Sequence, residues 1–174
     1  HFETTGPEIW RQTDGKIDGF ICAVGSGGTL AGVGRYLKEQ NPSVKIGLAD
    51  PEGSALHHYY QQGELQSSGN SISEGIGQGR ITKNLAEAPV DMSFCLTDQD
   101  ALPLIYDLMQ HEGLYLGGST AINVAGALAM AKELGPGHRI VPISSDSRER
   151  CQSKVWNPGF LRKKNLPVPS WLAS

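Results

Sequence analysis

Between an apolar run, Ile17–Val24, and a segment with helical periodicity lies Gly25-Ser26-Gly27-Gly28-Thr29. No other stretch restricts the fold as strongly. From Thr29 to Gln40 the apolar Leu30, Val33 and Leu37 recur at helical spacing, and Val44–Ala49 alternates before Asp50-Pro51 stops it. Strand, glycine turn, helix and strand make a right-handed βαβ unit, and two parallel strands need such a crossover. Further along, Val90–Leu96 reads as a third strand and Arg139–Ser144 as a fourth, with Ser145-Asp146-Ser147 at its carboxyl end. Helices are expected over Gly6–Thr13, with Pro7 in its first turn, and over Ala55–Gln62. Thr97-Asp98-Gln99-Asp100 caps a helix running to Glu112, and Ser119 serves as N-cap for one ending at Leu134 before Gly135-Pro136-Gly137. A last helix is expected over Arg150–Trp156. The alternation predicts an α/β domain, a mostly parallel, doubly wound sheet with helices on both faces, over residues 1–156. Residues 157–174 read as a carboxyl-terminal tail in which Trp171 and Leu172 dock and Arg162-Lys163-Lys164 forms a solvated face.

Composition narrows the function. The formal charge of −3 gives no reason to expect nucleic acid, and no apolar run approaches the roughly 20 residues of a membrane span. Cys22, Cys95 and Cys151 are far apart with no CxxC pair, which argues against a disulfide framework or a zinc site and for a reducing compartment. Cys22 and Cys95, in apolar strands, are expected to be inert core thiols. His57 and His58 are adjacent and point apart, and His111 and His138 stand alone, so no metal site is expected. Glycine, at 22 of 174 residues, is enriched at turns, where backbone can approach a ligand closely.

The candidate chemistry lies at the carboxyl ends of the strands, where open α/β sheets bind ligands. Removing Cβ atoms at Gly25, Gly27 and Gly28 lets successive N–H groups converge on an anion at the positive end of a helix, and Ser26 and Thr29 add hydroxyls. The same loop could be a tight turn needed only for packing. A nucleotide P-loop is excluded because no Gly-Lys-Ser/Thr follows. The dinucleotide fingerprint meets Gly25 and Gly27 but puts Leu30 at its third small position, while Asp50 ends the second strand where an acid would bind a ribose hydroxyl. A dinucleotide-binding oxidoreductase domain is therefore the alternative reading. Ser145-Asp146-Ser147 could reach the crevice above the glycine loop, and Glu74-Gly75-Ile76-Gly77 suits approach to a flat ligand.

Taken together, HFETTGPEIW, GSGGTLAGVGRYLKE, SEGIGQGRIT, GGSTAINVAGA and SDSRERCQSKVWNPGFLRKKNLPVPSWL resemble, in order and spacing, the cysteine synthase and cystathionine β-synthase family of pyridoxal-phosphate enzymes. The resemblance implies the tryptophan-synthase-β fold, of which this chain would be part of the large domain. It implies that Gly25, Ser26, Gly27, Gly28 and Thr29 hold the phosphate of pyridoxal 5'-phosphate, that Ser147 bonds the pyridine nitrogen, and that Gly75 faces the substrate. A neutral hydroxyl at that nitrogen suits replacement or elimination of a β-substituent on an activated serine or cysteine. In the family a lysine near the chain start forms the Schiff base. Lys16, Lys38, Lys45, Lys83, Lys132, Lys154, Lys163 and Lys164 all fall in segments matching other parts, so the chain is expected to be the carboxyl-terminal half of such an enzyme and inactive alone. Its expected partners are the missing amino-terminal half, an amino-acid substrate and a second copy in a homodimer. The expected compartment is cytoplasmic or mitochondrial, any targeting segment being hidden by the apparent truncation at His1. Arg148 replaces a usual glycine after Ser147, Ala121 replaces a small glycine, and Cys151 stands where an aromatic or His is common. With the absent lysine, Arg148 also leaves open a catalytically dead interaction domain.

Overall fold

The structure, a computed structural model, describes residues 1–146 and 151–172. In chain order its elements are α1 (Thr5–Gln12), β1 (Gly19–Cys22), α2 (Gly28–Gln40), β2 (Lys45–Pro51), α3 (Leu56–Gln62), α4 (Lys83–Ala86), β3 (Met92–Leu96), α5 (Asp98–Glu112), α6 (Gly118–Leu134), β4 (Ile140–Pro142) and α7 (Pro158–Lys163), with a 3-10 turn at Ser170–Leu172. Every strand pair is parallel and the order is β3-β2-β1-β4. The chain thus winds outward from β1 through β2 to β3, then returns to the other side of β1 for β4. That reversal puts a switch point between β1 and β4, whose carboxyl ends diverge into loops and leave a crevice.

Strand alternation makes two cores. Phe20 and Cys22 of β1 and Ile46 and Leu48 of β2 face α1 to α4, meeting Ile9, Leu30, Val33, Leu37, Leu56 and Leu85. Ile21, Ala49 and Leu96 face the opposite way, onto Leu102, Ile105, Ile122 and Met130 of α5 and α6. Helices therefore cover both faces, as the alternation predicts. Gly126 lets α6 come close: a Cβ there would stand 2.8 Å from Ala49 Cβ and 2.9 Å from Ile21 Cδ1. No helix among the described residues is long and apolar enough to cross a membrane.

Several local expectations are corrected. Asp50 and Pro51 do not stop β2 but pair with Cys95 and Leu96 of β3. Ser119 does not cap α6, which starts at Gly118 with Gly117 as N-cap, because its hydroxyl is engaged by Ser145 instead. Cys95 is exposed on the edge strand and is no core thiol. Residues 151–156 form turns, with Cys151 O accepting from Val155 N at 2.9 Å. The segment after them contains α7, capped by the Asn157 side chain, and packs Leu161, Leu166, Val168 and Leu172 onto the α5–α6 core.

Candidate functional site

The glycine loop follows β1 and turns directly into α2. Gly27, at φ +86°, is the N-cap of α2 in the left-handed region, and no side chain caps that end. A Cβ on Gly27 would meet Leu85 at 3.0 Å, so glycine is required both by conformation and by space. α4, which the sequence pattern did not suggest, buttresses the loop: Thr82 caps α4 by accepting from Leu85 N at 3.2 Å and donates to Ser26 O at 2.7 Å. Gly28 N reaches Ser26 Oγ at 3.4 Å, and Thr29 Oγ1 lies 3.2 Å from His1 Nε2. A helix N-terminus entered through a glycine-rich turn, with only the long Ser26 contact on its first N–H, has the donor set and the open backbone that an anionic group such as a phosphate requires.

Across the crevice, the β4 exit is knit to the start of α6. Ser119 Oγ lies 2.9 Å from Ser145 Oγ and donates to Asp146 Oδ2 at 3.4 Å, and Thr120 Oγ1 lies 3.4 Å from Ser144 Oγ. Asn123 ties the two strand ends together. Its Oδ1 accepts from Ala23 N at 2.6 Å, just past β1, and its Nδ2 donates to Ile143 O at 2.7 Å, just past β4. Sequence reasoning missed Asn123, whose signal was being the polar residue inside the small-residue run of α6. It missed Asp98 too, read only as part of a cap.

Beside the β4 exit lies a cleft of about 360 Å³ lined by Ile72–Ile76, Gly118, Ser119, Ser145, Asp146, Cys151, Lys154 and Val155. Lys154 pairs with Glu74 across it. Gly75 joins the cleft to the cradle, since its carbonyl oxygen sits 2.5 Å from where a Gly25 Cβ would be. The structure thus brings Gly25–Thr29, Gly75 and the Ser145–Asp146 loop to one end of the sheet, whereas Ser147 and Arg148 lie outside the described residues. Among the described residues, no group of three or more His, Cys, Asp or Glu side chains is placed to hold a metal ion.

Asp50 is not at this site. It is 1% exposed on the α1–α4 face, and its Oδ2 accepts from His57 N at 2.7 Å, so it anchors α3 and cannot meet a ribose in the crevice. Burial pushes its carboxyl above the ordinary range, against the lowering effect of the nearby Ser54 hydroxyl and of the His57 N–H bond, and its Oδ1 has no partner. The dinucleotide reading thereby loses the residue that supported it. Burial likewise pushes the Cys22 thiol up to about 12, leaving it unreactive.

The family described as "Pyridoxal-phosphate dependent enzyme" matches residues 2–146. The chain is 45% identical over 187 residues to cysteine synthase 2 of Schizosaccharomyces pombe, covering 99% of this chain and 47% of that protein. It is 47% identical over 171 residues to cysteine synthase 1 of Neurospora crassa, covering 95% and 46%. The crystal structure of an O-acetylserine dependent cystathionine beta-synthase from Helicobacter pylori superposes with a TM-score of 0.79 at 30% identity, over 88% of this chain and 48% of that one. The chain spans about half the length of the curated relatives it matches. A parallel sheet with a glycine turn after β1, a cleft beside the β4 exit and matches over nearly the whole sequence agree: this chain belongs to the pyridoxal-phosphate-dependent enzyme family.

Proposed function

We propose that these residues form the cofactor-holding part of a cysteine synthase-like enzyme that replaces or eliminates the β-substituent of an activated serine or cysteine. The observation that carries the reading is that Gly75, which lines the cleft with Ser145 and Asp146 of the β4 exit, also abuts Gly25 at the start of the glycine turn into α2. In this reading the backbone of Gly25–Thr29 and the Ser26 and Thr29 hydroxyls hold the phosphate, Ser147 supports the ring nitrogen, and Gly75 borders the amino-acid substrate. Bound there, pyridoxal phosphate supplies an electron sink at the substrate α-carbon, and the protein sets its strength. A serine hydroxyl at the ring nitrogen supplies no fixed charge, which favours loss of a β-substituent over transamination. Ser119 and Asp146 present hydrogen-bonding groups to the cleft, and the Lys154–Glu74 pair spans it.

In the same reading the cofactor-bearing lysine and the other wall of the crevice belong to further polypeptide, and the whole protein works as a homodimer. Residues 1–156 are read as the cofactor-holding unit and 157–174 as a carboxyl-terminal tail, a reading supported by the packing of Leu161, Leu166, Val168 and Leu172 on the α5–α6 core. Three unpaired thiols suit a reducing compartment, cytoplasmic or mitochondrial.

The test uses the full-length protein and equilibrium dialysis against pyridoxal phosphate. Gly28→Asp is the informative variant, because a Cβ at Gly28 meets nothing closer than 3.6 Å, so the loop keeps its shape while a carboxylate enters the cradle. Affinity is expected to fall at least about tenfold, the scale of one lost charge-assisted bond reinforced by repulsion. Equal affinity in wild type and variant overturns the cradle assignment. Borohydride reduction followed by peptide mapping is expected to mark a lysine outside these 174 residues. A label on Lys154 would overturn that placement.

A further inference from the structure

The irregular strap from Ser71 to Gly77 forms one wall of the cleft, and one carboxylate fastens its entry. Asp98 Oδ1 accepts from Ser71 Oγ at 2.7 Å, and Oδ2 accepts from Ile72 N at 2.7 Å. Ser71 Oγ in turn accepts from Ser73 N at 3.0 Å, so the anchor extends to the first residues lining the cleft. The far end is held by backbone, with Gly77 N donating to Val24 O at 2.9 Å. Between the two, Glu74 pairs with Lys154 and the Gly75 carbonyl abuts Gly25.

Asp98 opens α5, yet helix capping does not use its side chain. Thr97 is the N-cap, its Oγ1 accepting from Asp100 N at 3.1 Å. The Asp98 carboxylate is 7% exposed, and both its oxygens are engaged by the strap. Charge-assisted bonds of this kind are stronger than neutral ones, and losing them would leave the Ile72 N–H without its partner. Nothing else among the described residues holds the Ser71–Ile72 corner with a charge.

We propose that Asp98 is a positioning residue: through Ser71 and Ile72 it sets the wall bearing Glu74 and Gly75 at the distance at which the amino-acid substrate is bound. The proposal rests on the function given above. It assigns Asp98 to substrate binding and leaves the reacting atoms to other groups, so its removal should act on KM more than on kcat.

The experiment compares wild type, Asp98→Asn and Ser71→Ala in the full-length protein. Hydrogen exchange is followed over residues 72–77 and over α5, with and without pyridoxal phosphate, alongside steady-state kinetics. Asp98→Asn is expected to speed exchange of the strap about tenfold or more with α5 unchanged, and to raise KM for the amino-acid substrate by about tenfold with kcat within about threefold. Ser71→Ala, which leaves α5 intact, is expected to shift both in the same direction by less, and it decides the matter if Asp98→Asn does not fold. Unchanged strap exchange in Ser71→Ala and in a folded Asp98→Asn, or a fall in kcat at unchanged KM, overturns the proposal. A wild-type protein that takes up no pyridoxal phosphate overturns the function instead, and the exchange of the strap still decides whether Asp98 holds it.

Discussion

At Asp50, burial and anchoring pull in opposite directions. The carboxylate holds the first turn of α3 through His57 N, yet at 1% exposure with Oδ1 unpartnered it is costly to ionise. Its carboxyl is therefore raised by burial first, with the nearby Ser54 hydroxyl and the His57 N–H bond only partly offsetting the shift. In the unfolded chain the same group ionises near the ordinary value of about 4. Over the interval between, the folded protein keeps a proton that the unfolded chain has lost. The stabilisation is thus complete below the unfolded value and lost as pH rises through the folded one. Asn at this position stays neutral throughout, so the stability of Asp50→Asn relative to wild type is expected to increase as pH rises from about 4 to about 7. Urea unfolding at intervals across that range checks it, and a difference that shrinks with pH contradicts it. Cys95, the register partner of Asp50, is exposed yet partly desolvated by its neighbours, which raises its thiol first, followed by the charges of Asp50 and Glu52, so exposure there does not confer reactivity.

Element by element, close approach of α6 to the sheet sets the thickness of one core. Gly126→Ala brings the ordinary helix-propensity gain of up to about 1 kcal/mol, but the new methyl would lie 2.8 Å from the Ala49 Cβ, which has no rotamer to yield. Overpacking of this kind costs about 1–3 kcal/mol, so the clash wins and a net loss of about 1–2 kcal/mol is expected in urea unfolding. Trimming the other neighbour with Ile21→Val should recover part of it. Helices such as α2 and α5 were legible because their apolar residues repeat every three or four positions and a glycine or a Thr-x-x-Asp marks an end. The glycine turn between β1 and α2 was legible because its signal lies in contiguous residues. What escaped the sequence depends on partners far along the chain. Ser119 looked like a cap until Ser145 was beside it, and Asp98 looked like one until Ser71 and Ile72 arrived from 27 and 26 residues away. The short α4 has too few residues for a period, and the Cys95 environment follows from β3 being an edge, which only topology decides.

As a whole molecule the sheet has two edges, and they differ. β4 is three residues long and ends in Pro142, a short strand with a residue that blunts pairing, whereas β3 offers five residues with Cys95 exposed on them. The 174-residue chain by itself is therefore expected to associate with rising concentration through β3. Sedimentation velocity should show that association in wild type and less of it in Cys95→Lys, which places a charge on the edge; a monodisperse wild-type monomer over the same range refutes it. Asn123 has a consequence of another kind. It joins Ala23 to Ile143 from a position 100 residues after the first and 20 before the second. A ribosome delivers β1, β2 and β3 in order, and they can pair as they emerge. The flank of β1 that receives β4 must wait until α6 and β4 have both been made, since Asn123 joins Ala23 to Ile143 only when all three are present. Completion of the crevice therefore waits on the synthesis of β4, and β1 stands half-paired at least until Ile143 has been made.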